Sequence, residues 1–390
     1  MTFKLLLNGR FLNRPVTGVE RLALELSRGL RKLLAATGER DVDIAVSSAT
    51  DVEACIAALD MPVPTILTVG RWKGHAWEQV DLPRVETDAW LLNLCNTGPI
   101  IRRRQALVIC DAQVMLHPES YSLAFRWWYR LMTTLVSRRA DAVFTISEFS
   151  KAQLEKFGLV PKNKIHVLRL GVDHMDAIEA DPSIIERQSL SKRPYILAIG
   201  SLAKHKNLSI LLDAFADADL SGTDMVIAGG GNSQIFQTAG LREAPNIRFI
   251  GRVSDGELKA LYDHAMAFAC PSLSEGFGFT PLEAMARGCP VVATTGGAVP
   301  EVCGDAAIYA DPLDRKAWRD ALRAIVTDEK MRVDLGRRAK ERAGMFVWRE
   351  AARQMLSVLA RQDGDEALLS LLARPDWTMG YQSGMGKYVD

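Results

Sequence analysis

The stretch CPSLSEGFGFTPLEAM at residues 270–285 places a buried strand, a glycine-bearing loop and a helix in immediate succession. The strand is the apolar run 267–270, which ends at Cys270, and the loop contains Gly276 and Gly278. Thr280 is a suitable N-cap residue and Pro281 suits the first helical position, so we expect the helix to begin there. Backbone N–H groups ahead of a helix N-terminus form a site for an anion such as a diphosphate.

Two carboxylates, Glu275 and Glu283, flank this loop. A carboxylate repels a phosphate unless it faces hydroxyl groups instead, so the hydroxyls of a sugar and a ribose are its natural partners. Glu283 has a structural alternative, because Thr280-x-x-Glu283 is the spacing of a capping box. Spacing alone leaves both interpretations of Glu283 open, whereas Glu275 has no helix to cap.

Short apolar runs alternate with helix-length amphipathic segments along the rest of the chain. Helical segments include residues 18–32, 208–216 and 255–264. Such alternation predicts an α/β protein with doubly wound parallel sheets covered on both faces. Ligands bind at the carboxyl ends of such strands, so two facing domains create one cleft. The strand-like runs are residues 4–8, 42–46, 65–69, 90–95, 106–110, 142–146, 165–170, 195–199, 225–228, 247–250, 267–270, 291–294 and 307–310.

The domain boundary is predicted in a polar stretch, residues 174–193, which contains Pro182 and lacks a clear period. We expect an N-terminal domain over residues 1–178 and a C-terminal domain over residues 190–350. Residues 351–390 then form a C-terminal helix and tail, with a helix-like stretch at 365–373 and a glycine-rich end.

Composition describes a globular chain: of 390 residues, 48% are apolar and 24% charged. The net charge of +1 gives no reason to expect a nucleic-acid partner. None of the six cysteines forms a C-x-x-C pair, which favours a reducing, cytoplasmic setting. The leucine run at residues 5–7 is too short for a signal peptide, and no apolar run approaches the ~20 residues of a membrane span.

The spacing Glu275-Gly-Phe-Gly-x4-Glu283 resembles the E-x7-E motif of family 4 glycosyltransferases, which are retaining enzymes of GT-B fold. The resemblance extends over residues 8–345, and several motifs in the same order make it far more specific than a lone glycine pattern. The other matching segments are residues 17–21, 146–150, 171–173, 200–207, 246–258, 288–293 and 299–304.

The resemblance implies two Rossmann-like domains facing a central cleft, with the nucleotide on the C-terminal domain and the acceptor on the N-terminal domain. Glu275 is expected to bind donor-sugar hydroxyls and Glu283 the ribose. The residues expected to be catalytic are Glu275, Lys206 and Asp111. Those expected to bind the donor are Gly18, Ser201, Lys206, Gly251, Arg252, Glu275, Gly276, Phe277, Gly278, Phe279, Thr280 and Glu283.

Lys206 matches the basic residue that neutralises the diphosphate, where a cation stabilises the charge that develops as the glycosidic bond breaks. Gly18 matches a loop that approaches the donor, where a side chain would obstruct it. The structural alternatives are a solvated lysine at a helix start and an ordinary turn glycine.

The sequence departs from the family at two positions. Relatives often carry arginine where Ser201 stands, so Lys204, His205 or Lys206 must supply the positive charge. The family's active-site histidine is replaced by Cys110, for which His117 is a candidate substitute, although packing of its loop is the alternative. Asp111 either positions an acceptor hydroxyl or is a strand-end aspartate.

Arginine and aromatic residues are interleaved at residues 125–132, and a triple arginine stands at 102–104. This pattern suits a peripheral contact with the inner face of a membrane and an acceptor on a lipid diphosphate carrier. The alternative is that Trp127 and Leu131, at helical spacing, belong to the core.

These features predict a retaining glycosyltransferase of surface polysaccharide synthesis with a glycan or lipid-linked acceptor. We expect neither a catalytic metal nor a cofactor, and the resemblance favours GDP-mannose over UDP-sugars and dTDP-rhamnose as donor. The alternatives are a nucleotide-sugar epimerase or a glycan phosphorylase on the same fold, and a non-catalytic nucleotide-sugar-binding protein. A dehydrogenase is disfavoured, because no G-x-G-x-x-G follows the first strand.

Overall fold

The computed structural model describes residues 3–36, 42–59, 65–200, 203–230 and 245–374. Within these ranges the chain forms two parallel β-sheets, one in each half of the sequence. Helices cover both faces of each sheet, and the two sheets lie on either side of a cleft. The GT-B arrangement expected from the sequence is therefore present.

The N-terminal sheet has seven strands in the order β3-β2-β1-β4-β5-β6-β7. Every pairing in it is parallel; for example, Leu5 of β1 is in register with both Val42 and Trp90. Its strands are β1 Leu5–Asn8, β2 Val42–Ser47, β3 Thr65–Val69, β4 Trp90–Asn93, β5 Gln105–Val108, β6 Ala142–Thr145 and β7 Ile165–Val167.

The C-terminal sheet has six parallel strands in the order β10-β9-β8-β11-β12-β13. The chain reverses its direction of winding between β8 and β11, so the loops after these strands diverge and open a crevice. The strands are β8 Tyr195–Ile199, β9 Asp224–Ala228, β10 Ile247–Gly251, β11 Ala267–Cys270, β12 Val291–Thr294 and β13 Ala307–Ala310.

Sixteen α-helices lie within the described ranges, and the longer ones bury one apolar face against a sheet or a neighbouring helix. They are α1 Gly18–Ala35, α2 Val52–Leu59, α3 Gly74–Val80, α4 Gln113–Leu116, α5 Leu123–Arg139, α6 Glu148–Lys156, α7 His174–Ala177, α8 Ser183–Arg187, α9 Leu208–Asp217, α10 Asp255–His264, α11 Phe279–Ala286, α12 Val299–Cys303, α13 Arg315–Thr327, α14 Glu329–Ala343, α15 Trp348–Asp363 and α16 Glu366–Leu372.

The chain crosses between the domains twice, and the two crossing segments are bonded to each other. The Val172 N–H donates to the Phe346 carbonyl at 2.9 Å, and the Trp348 N–H donates to Asp173 Oδ1 at 2.8 Å. Gly171 lies so close to the backbone of Trp348 that a Cβ atom there would overlap it. The crossings therefore form one packed unit.

The predicted linker, residues 174–193, contains two short helices and packs on the C-terminal domain. Lys259 Nζ donates to the Ile178 carbonyl at 2.6 Å, and the Asp181 N–H donates to the Gly256 carbonyl at 2.9 Å. The chain then returns to the N-terminal domain, because α15 packs along α1. At its end Asp363 accepts hydrogen bonds from Trp90 at 2.9 Å and Arg104 at 2.7 Å. The expected C-terminal helix at 365–373 is α16, and the glycine-rich tail lies outside the described residues.

All thirteen strand-like runs of the sequence form strands, although several expected ends extend past the observed ones. No helix in the described parts of the chain combines the length and apolar character that crossing a bilayer requires. The five cysteines whose side chains the structure describes are free thiols and buried.

Candidate active site

An ion pair stands at the crevice between the loops after β8 and β11. Lys206 Nζ lies 2.7 Å from Glu275 Oε1, and the Ser272 hydroxyl donates to the same oxygen at 2.5 Å. The two charged residues are 69 positions apart in sequence and meet because β8 and β11 are adjacent strands. Two of the predicted site residues are thus brought together at the predicted crevice.

The surroundings of the pair keep both groups ionised. Burial by itself would raise the pKa of Glu275, but the Lys206 ammonium and the Ser272 hydroxyl outweigh burial and lower it. Burial would likewise lower the pKa of Lys206, yet Glu275 raises it. The side chains keep 28% and 17% of their exposure, for Lys206 and Glu275 respectively, so a ligand in the cleft can reach both.

A second glycine-containing segment, at Gly297 and Ala298, packs against the backbone of the glycine loop. A Cβ atom on Gly297 would overlap the backbone of Glu275, and the Ala298 N–H donates to the Glu275 carbonyl at 2.9 Å. Gly278 has φ +102°, a conformation that side chains with a Cβ rarely adopt. The loop conformation therefore depends on glycine in both segments.

The helix after the loop begins earlier than the sequence indicated. It starts at Phe279, and Gly278 occupies the N-cap position without a side-chain cap. The prediction of Thr280 as N-cap and Pro281 as first helical residue is therefore wrong. The left-handed conformation of Gly278 turns the chain into the helix before the hydroxyl of Thr280 can cap it.

Glu283 is held by tertiary contacts. Its Oε2 atom lies 3.3 Å from the Tyr262 hydroxyl, and its Oε1 atom lies 3.5 Å from His174 Nε2. Because Gly278 rather than Thr280 is the N-cap, the capping-box interpretation of Glu283 is wrong. The carboxylate is kept within the site by residues from the linker and from α10.

The N-terminal domain contacts the loop at Gly276. The hydroxyls of Ser147 and Ser150 both donate to the Gly276 carbonyl, at 2.6 and 2.9 Å. A Cβ atom on Gly276 would lie 2.8 Å from Asp111 Cβ and 2.9 Å from Asp111 Oδ2. Only glycine allows the two domains to approach so closely here.

Asp111 joins Lys206 and Glu275, so the three residues predicted as catalytic lie in one place. Burial raises the pKa of Asp111, and the hydrogen bond from the Gln113 N–H offsets this only in part. The charges of Glu275 and Lys206 are near enough to act on that pKa as well. Burial also raises the pKa of the neighbouring Cys110 thiol, which points into the core.

His117 lies at the domain interface. Its Nε2 atom is 2.8 Å from the Ser274 hydroxyl, and its ring stacks on His205 with ring centres 5.7 Å apart. Gln113 holds the same loop by donating to the Ser274 carbonyl at 3.2 Å. The packing of His117 therefore joins the two domains directly beside Glu275.

The remaining predicted donor residues divide into glycine contacts and buried aromatics. Gly18 begins α1, and a Cβ atom there would lie 3.6 Å from Phe279, so α1 starts against the glycine loop. The Phe277 side chain is buried against Phe279 and Phe346, which leaves its backbone as the part available to a ligand.

Two further predicted donor residues, Gly251 and Arg252, stand at the end of β10 and directly after it. The Gly251 carbonyl accepts from the Gly229 N–H at 2.7 Å, and Arg252 is exposed. A Cβ atom on Gly229 would lie 2.7 Å from the Gly200 carbonyl oxygen, so glycines end three neighbouring strands. Ser201 lies outside the described residues.

Asp-x-Asp triplets, a spacing used for metal binding in some nucleotide-sugar enzymes, occur at residues 41–43, 217–219 and 363–365. Asp41 lies outside the described residues, Asp217 ends α9 in an ion pair with Arg315, and Asp363 ends α15 in an ion pair with Arg104. Within the described ranges, no three His, Cys, Asp or Glu side chains are grouped as metal ligands would be.

Two family models match the chain. The model described as glycosyl transferases group 1 matches residues 181–342, and the model described as glycosyltransferase family 4 matches residues 112–175. Together they include more than half of the chain. The chain belongs to the family 4-like glycosyltransferases.

Similar proteins include two O-antigen chain mannosyltransferases. RfbU of Salmonella typhimurium is 29% identical over 59% of this chain and 63% of its own length. Mannosyltransferase B of Escherichia coli is 30% identical over 56% of this chain and 60% of its own length. The matched region thus spans less than two thirds of either relative.

Solved structures show the same fold. Sucrose-phosphate synthase from Thermosynechococcus elongatus superposes with a TM-score of 0.69 at 16% identity, covering 94% of this chain and all of that chain. Anabaena HepE in complex with UDP and glucose gives a TM-score of 0.69 at 18% identity, covering 92% of this chain and all of that chain.

Several contacts in this site could not be predicted from the sequence. Ser147 and Ser150 stand in a segment that resembles the family, but their bonds to Gly276 connect residues more than 120 positions apart. Ser272 lies within the stretch 270–285 but was assigned no role, and His174 belongs to none of the matching segments. Such contacts depend on how the domains meet, which spacing along the chain does not report.

We expect Lys206 and Glu275 to be energetically coupled. Lys206→Met and Glu275→Gln each leave a partly buried charge or dipole unpaired, so each should lower the free energy of unfolding by about 1–3 kcal/mol. The loss is smaller than for a fully buried pair, because both side chains retain some exposure. The double variant should recover part of this loss. Urea unfolding of the four proteins at pH 7 measures the coupling.

The matched control is the surface pair of Arg337 and Glu341, whose side chains are about 60% exposed and should show almost no coupling. Because the pKa of folded Glu275 is lowered, the contribution of the Lys206 pair is present at neutral pH and should decline as the pH falls below 4.5. Strict additivity of the two single variants at pH 7 would contradict the coupling.

Proposed function

We propose that this chain transfers a sugar from a nucleotide-sugar donor to a glycan or lipid-linked acceptor, with retention at the sugar carbon. The observation that carries the proposal is the Lys206–Glu275 pair beside the glycine loop, opposite Asp111 on the other domain. A cation, a hydroxyl-binding carboxylate and loop amides thus share one crevice at the switch point of a parallel sheet.

Each residue of the crevice has a role in the proposed reaction. The leaving diphosphate gains negative charge as the glycosidic bond breaks, and Lys206 stabilises that charge. Glu275 accepts hydrogen bonds from the donor sugar, and Glu283 accepts them from the ribose. Asp111 is placed on the acceptor side to orient the attacking hydroxyl, whose proton passes to the departing phosphate on the same face of the sugar.

The donor favoured is GDP-mannose, and the setting is surface polysaccharide synthesis. Two relatives are O-antigen chain mannosyltransferases, which supports mannose as the sugar. The UDP and glucose complex of Anabaena HepE, a protein of the same fold, makes UDP-glucose the second donor to test. The chemistry proposed needs no metal and no cofactor, because Lys206 supplies the positive charge at the diphosphate.

The proposed location is the cytoplasm with a peripheral membrane contact, and an exposed apolar stripe supports that contact. Leu123, Trp127 and Leu131 lie four residues apart on α5, and Trp127 and Leu131 are 74% and 58% exposed. The interpretation of Trp127 and Leu131 as core residues is therefore wrong. Arg126 and Arg130 flank the stripe. With Leu123 and Trp127, these two arginines line a cavity of about 300 Å³. Apolar side chains between arginines suit an anionic lipid surface, which is where a lipid-linked acceptor resides.

The first test is donor binding and turnover. Thermal unfolding should identify one donor among GDP-mannose, UDP-glucose, dTDP-rhamnose and ADP-glucose. A ligand at 100 times its Kd raises the free energy of unfolding by about 2.7 kcal/mol. Transfer from that donor should persist in EDTA. Activity that EDTA abolishes and Mg²⁺ or Mn²⁺ restores would contradict metal-free transfer, and donor conversion without any acceptor would indicate an epimerase instead.

The second test concerns the diphosphate cation. Lys206→Ala should lower kcat/KM by at least about tenfold, since a hydrogen bond to a charged group contributes about 1.5–3 kcal/mol. Lys204→Ala is the matched control, because this exposed lysine stands two residues earlier in the same loop. An equal loss of kcat/KM in both variants, or a loss of kcat/KM only in Lys204→Ala, would contradict the assignment of the diphosphate site to Lys206.

The third test concerns the membrane contact. Cosedimentation with vesicles containing about 30% anionic lipid should retain the chain at low salt and release it at high salt. Trp127→Glu/Leu131→Glu should abolish retention. Leu313→Glu/Val333→Glu changes two equally exposed apolar residues of the other domain and should leave retention unchanged. Unchanged retention of the α5 variant would refute docking through this stripe.

A further inference from the structure

His174 is a buried imidazole whose Nδ1 atom is paired with a neighbouring hydrogen-bond donor. Its Nδ1 atom lies 3.1 Å from Trp348 Nε1, which can only donate a hydrogen bond. Nδ1 therefore accepts, and the proton of the neutral ring is on Nε2. Both residues belong to the crossing segments, His174 to the first and Trp348 to the second.

The Nε2 atom of His174 faces the carboxylate of Glu283. The separation from Oε1 is 3.5 Å, and Nε2 makes no hydrogen bond to any described residue. A buried donor is normally satisfied, and a shift of the carboxylate by roughly half an ångström would complete this bond. The geometry fits a carboxylate that tightens against His174 when a ligand binds on its other side.

Glu283 retains capacity for such a ligand. A carboxylate offers about four acceptor positions. The structure uses one toward the Tyr262 hydroxyl at 3.3 Å and directs another at His174. Two positions are left for a pair of neighbouring hydroxyls, the arrangement found on a ribose.

The ring of His174 is held in place by the crossings. Its backbone neighbour Asp173 accepts from the Trp348 N–H, and the Trp348 ring stacks on Phe279 of the helix that carries Glu283. The ring also borders a cavity of about 960 Å³ between α1 and the linker.

We propose that His174 is a positioning residue: locked by Trp348, it orients Glu283 toward the nucleotide ribose and so links the domain crossings to donor binding. The inference rests on the proposed function through the role of Glu283. Its own content is that His174 acts through Glu283 and makes no contact with the nucleotide.

Two conservative variants distinguish the role of the His174 Nε2 atom from that of its Nδ1 atom. In His174→Gln the amide nitrogen can still reach Glu283, whereas in His174→Asn the amide oxygen can replace Nδ1 toward Trp348 but nothing reaches the carboxylate. Calorimetry with whichever of GDP, UDP, dTDP or ADP binds the full chain should show Kd raised about tenfold in His174→Asn, equivalent to 1.4 kcal/mol. We expect less than a threefold change in His174→Gln.

A double-mutant cycle with Glu283→Ala tests whether the effect passes through the carboxylate. Glu283→Ala should weaken nucleotide binding, and adding His174→Asn should then change Kd by less than twofold. A further tenfold loss in that background, or equal loss in the Gln and Asn variants, would overturn the proposal. Melting temperatures of all variants identify any that fail to fold.

The outcomes for the two proposals can be told apart. Unchanged nucleotide affinity in Glu283→Ala, or no binding of any of the four nucleotides, would contradict ribose binding by Glu283. It would therefore also contradict the proposed role of His174. A protein that binds nucleotide through coupled His174 and Glu283 but transfers no sugar would defeat the proposed function and support this inference.

Discussion

The carbonyl oxygen of Gly276 is the point on which the arrangement of the two domains depends. Hydroxyls of Ser147 and Ser150 bind it from the N-terminal domain, while Asp111 packs against its Cα atom. A side chain at this position would push the sheets apart and separate Asp111 from the ion pair. The composite crevice therefore exists because one residue has no Cβ atom and presents an unobstructed carbonyl group.

The crossing segments restrict how the domains can move around this contact. Val172 and Asp173 bond to Phe346 and Trp348, and the aromatic rings of the second crossing pack on the glycine loop and the helix that follows it. A rotation of one domain therefore acts directly on the segment that carries Glu275 and Glu283. The crossing segments and the glycine loop with its helix are therefore packed against each other.

The distribution of charge in the crevice fits the proposed chemistry. Lys206 and Glu275 neutralise each other, which keeps two ionised groups stable in a partly buried place and leaves both accessible from the cleft. A diphosphate entering the crevice would compete with Glu275 for Lys206, while the sugar hydroxyls would give Glu275 new donors. The pair is thus prepared for an exchange of partners without an unpaired buried charge at any stage.

The sequence by itself determined the layers of the fold, because apolar runs such as 195–199 and 267–270 are too short for helices and are flanked by amphipathic segments. It also indicated Glu275 from its place before the glycine loop, and Lys206 and Asp111 through the resemblance of their segments to the family 4 glycosyltransferases. Local sequence misplaced the start of α11, because Gly278 takes a left-handed conformation and occupies the N-cap position ahead of Thr280.

Only the tertiary structure decided which side chains meet. Helical spacing could not tell whether Trp127 and Leu131 face the core or the solvent, because periodicity defines a stripe and not what covers it. The capping-box spacing of Glu283 was equally ambiguous until Tyr262 and His174, both distant in sequence, were seen beside the carboxylate. Contacts across a cleft join residues that share no local pattern, so their identity follows from how two independently folded sheets pack together.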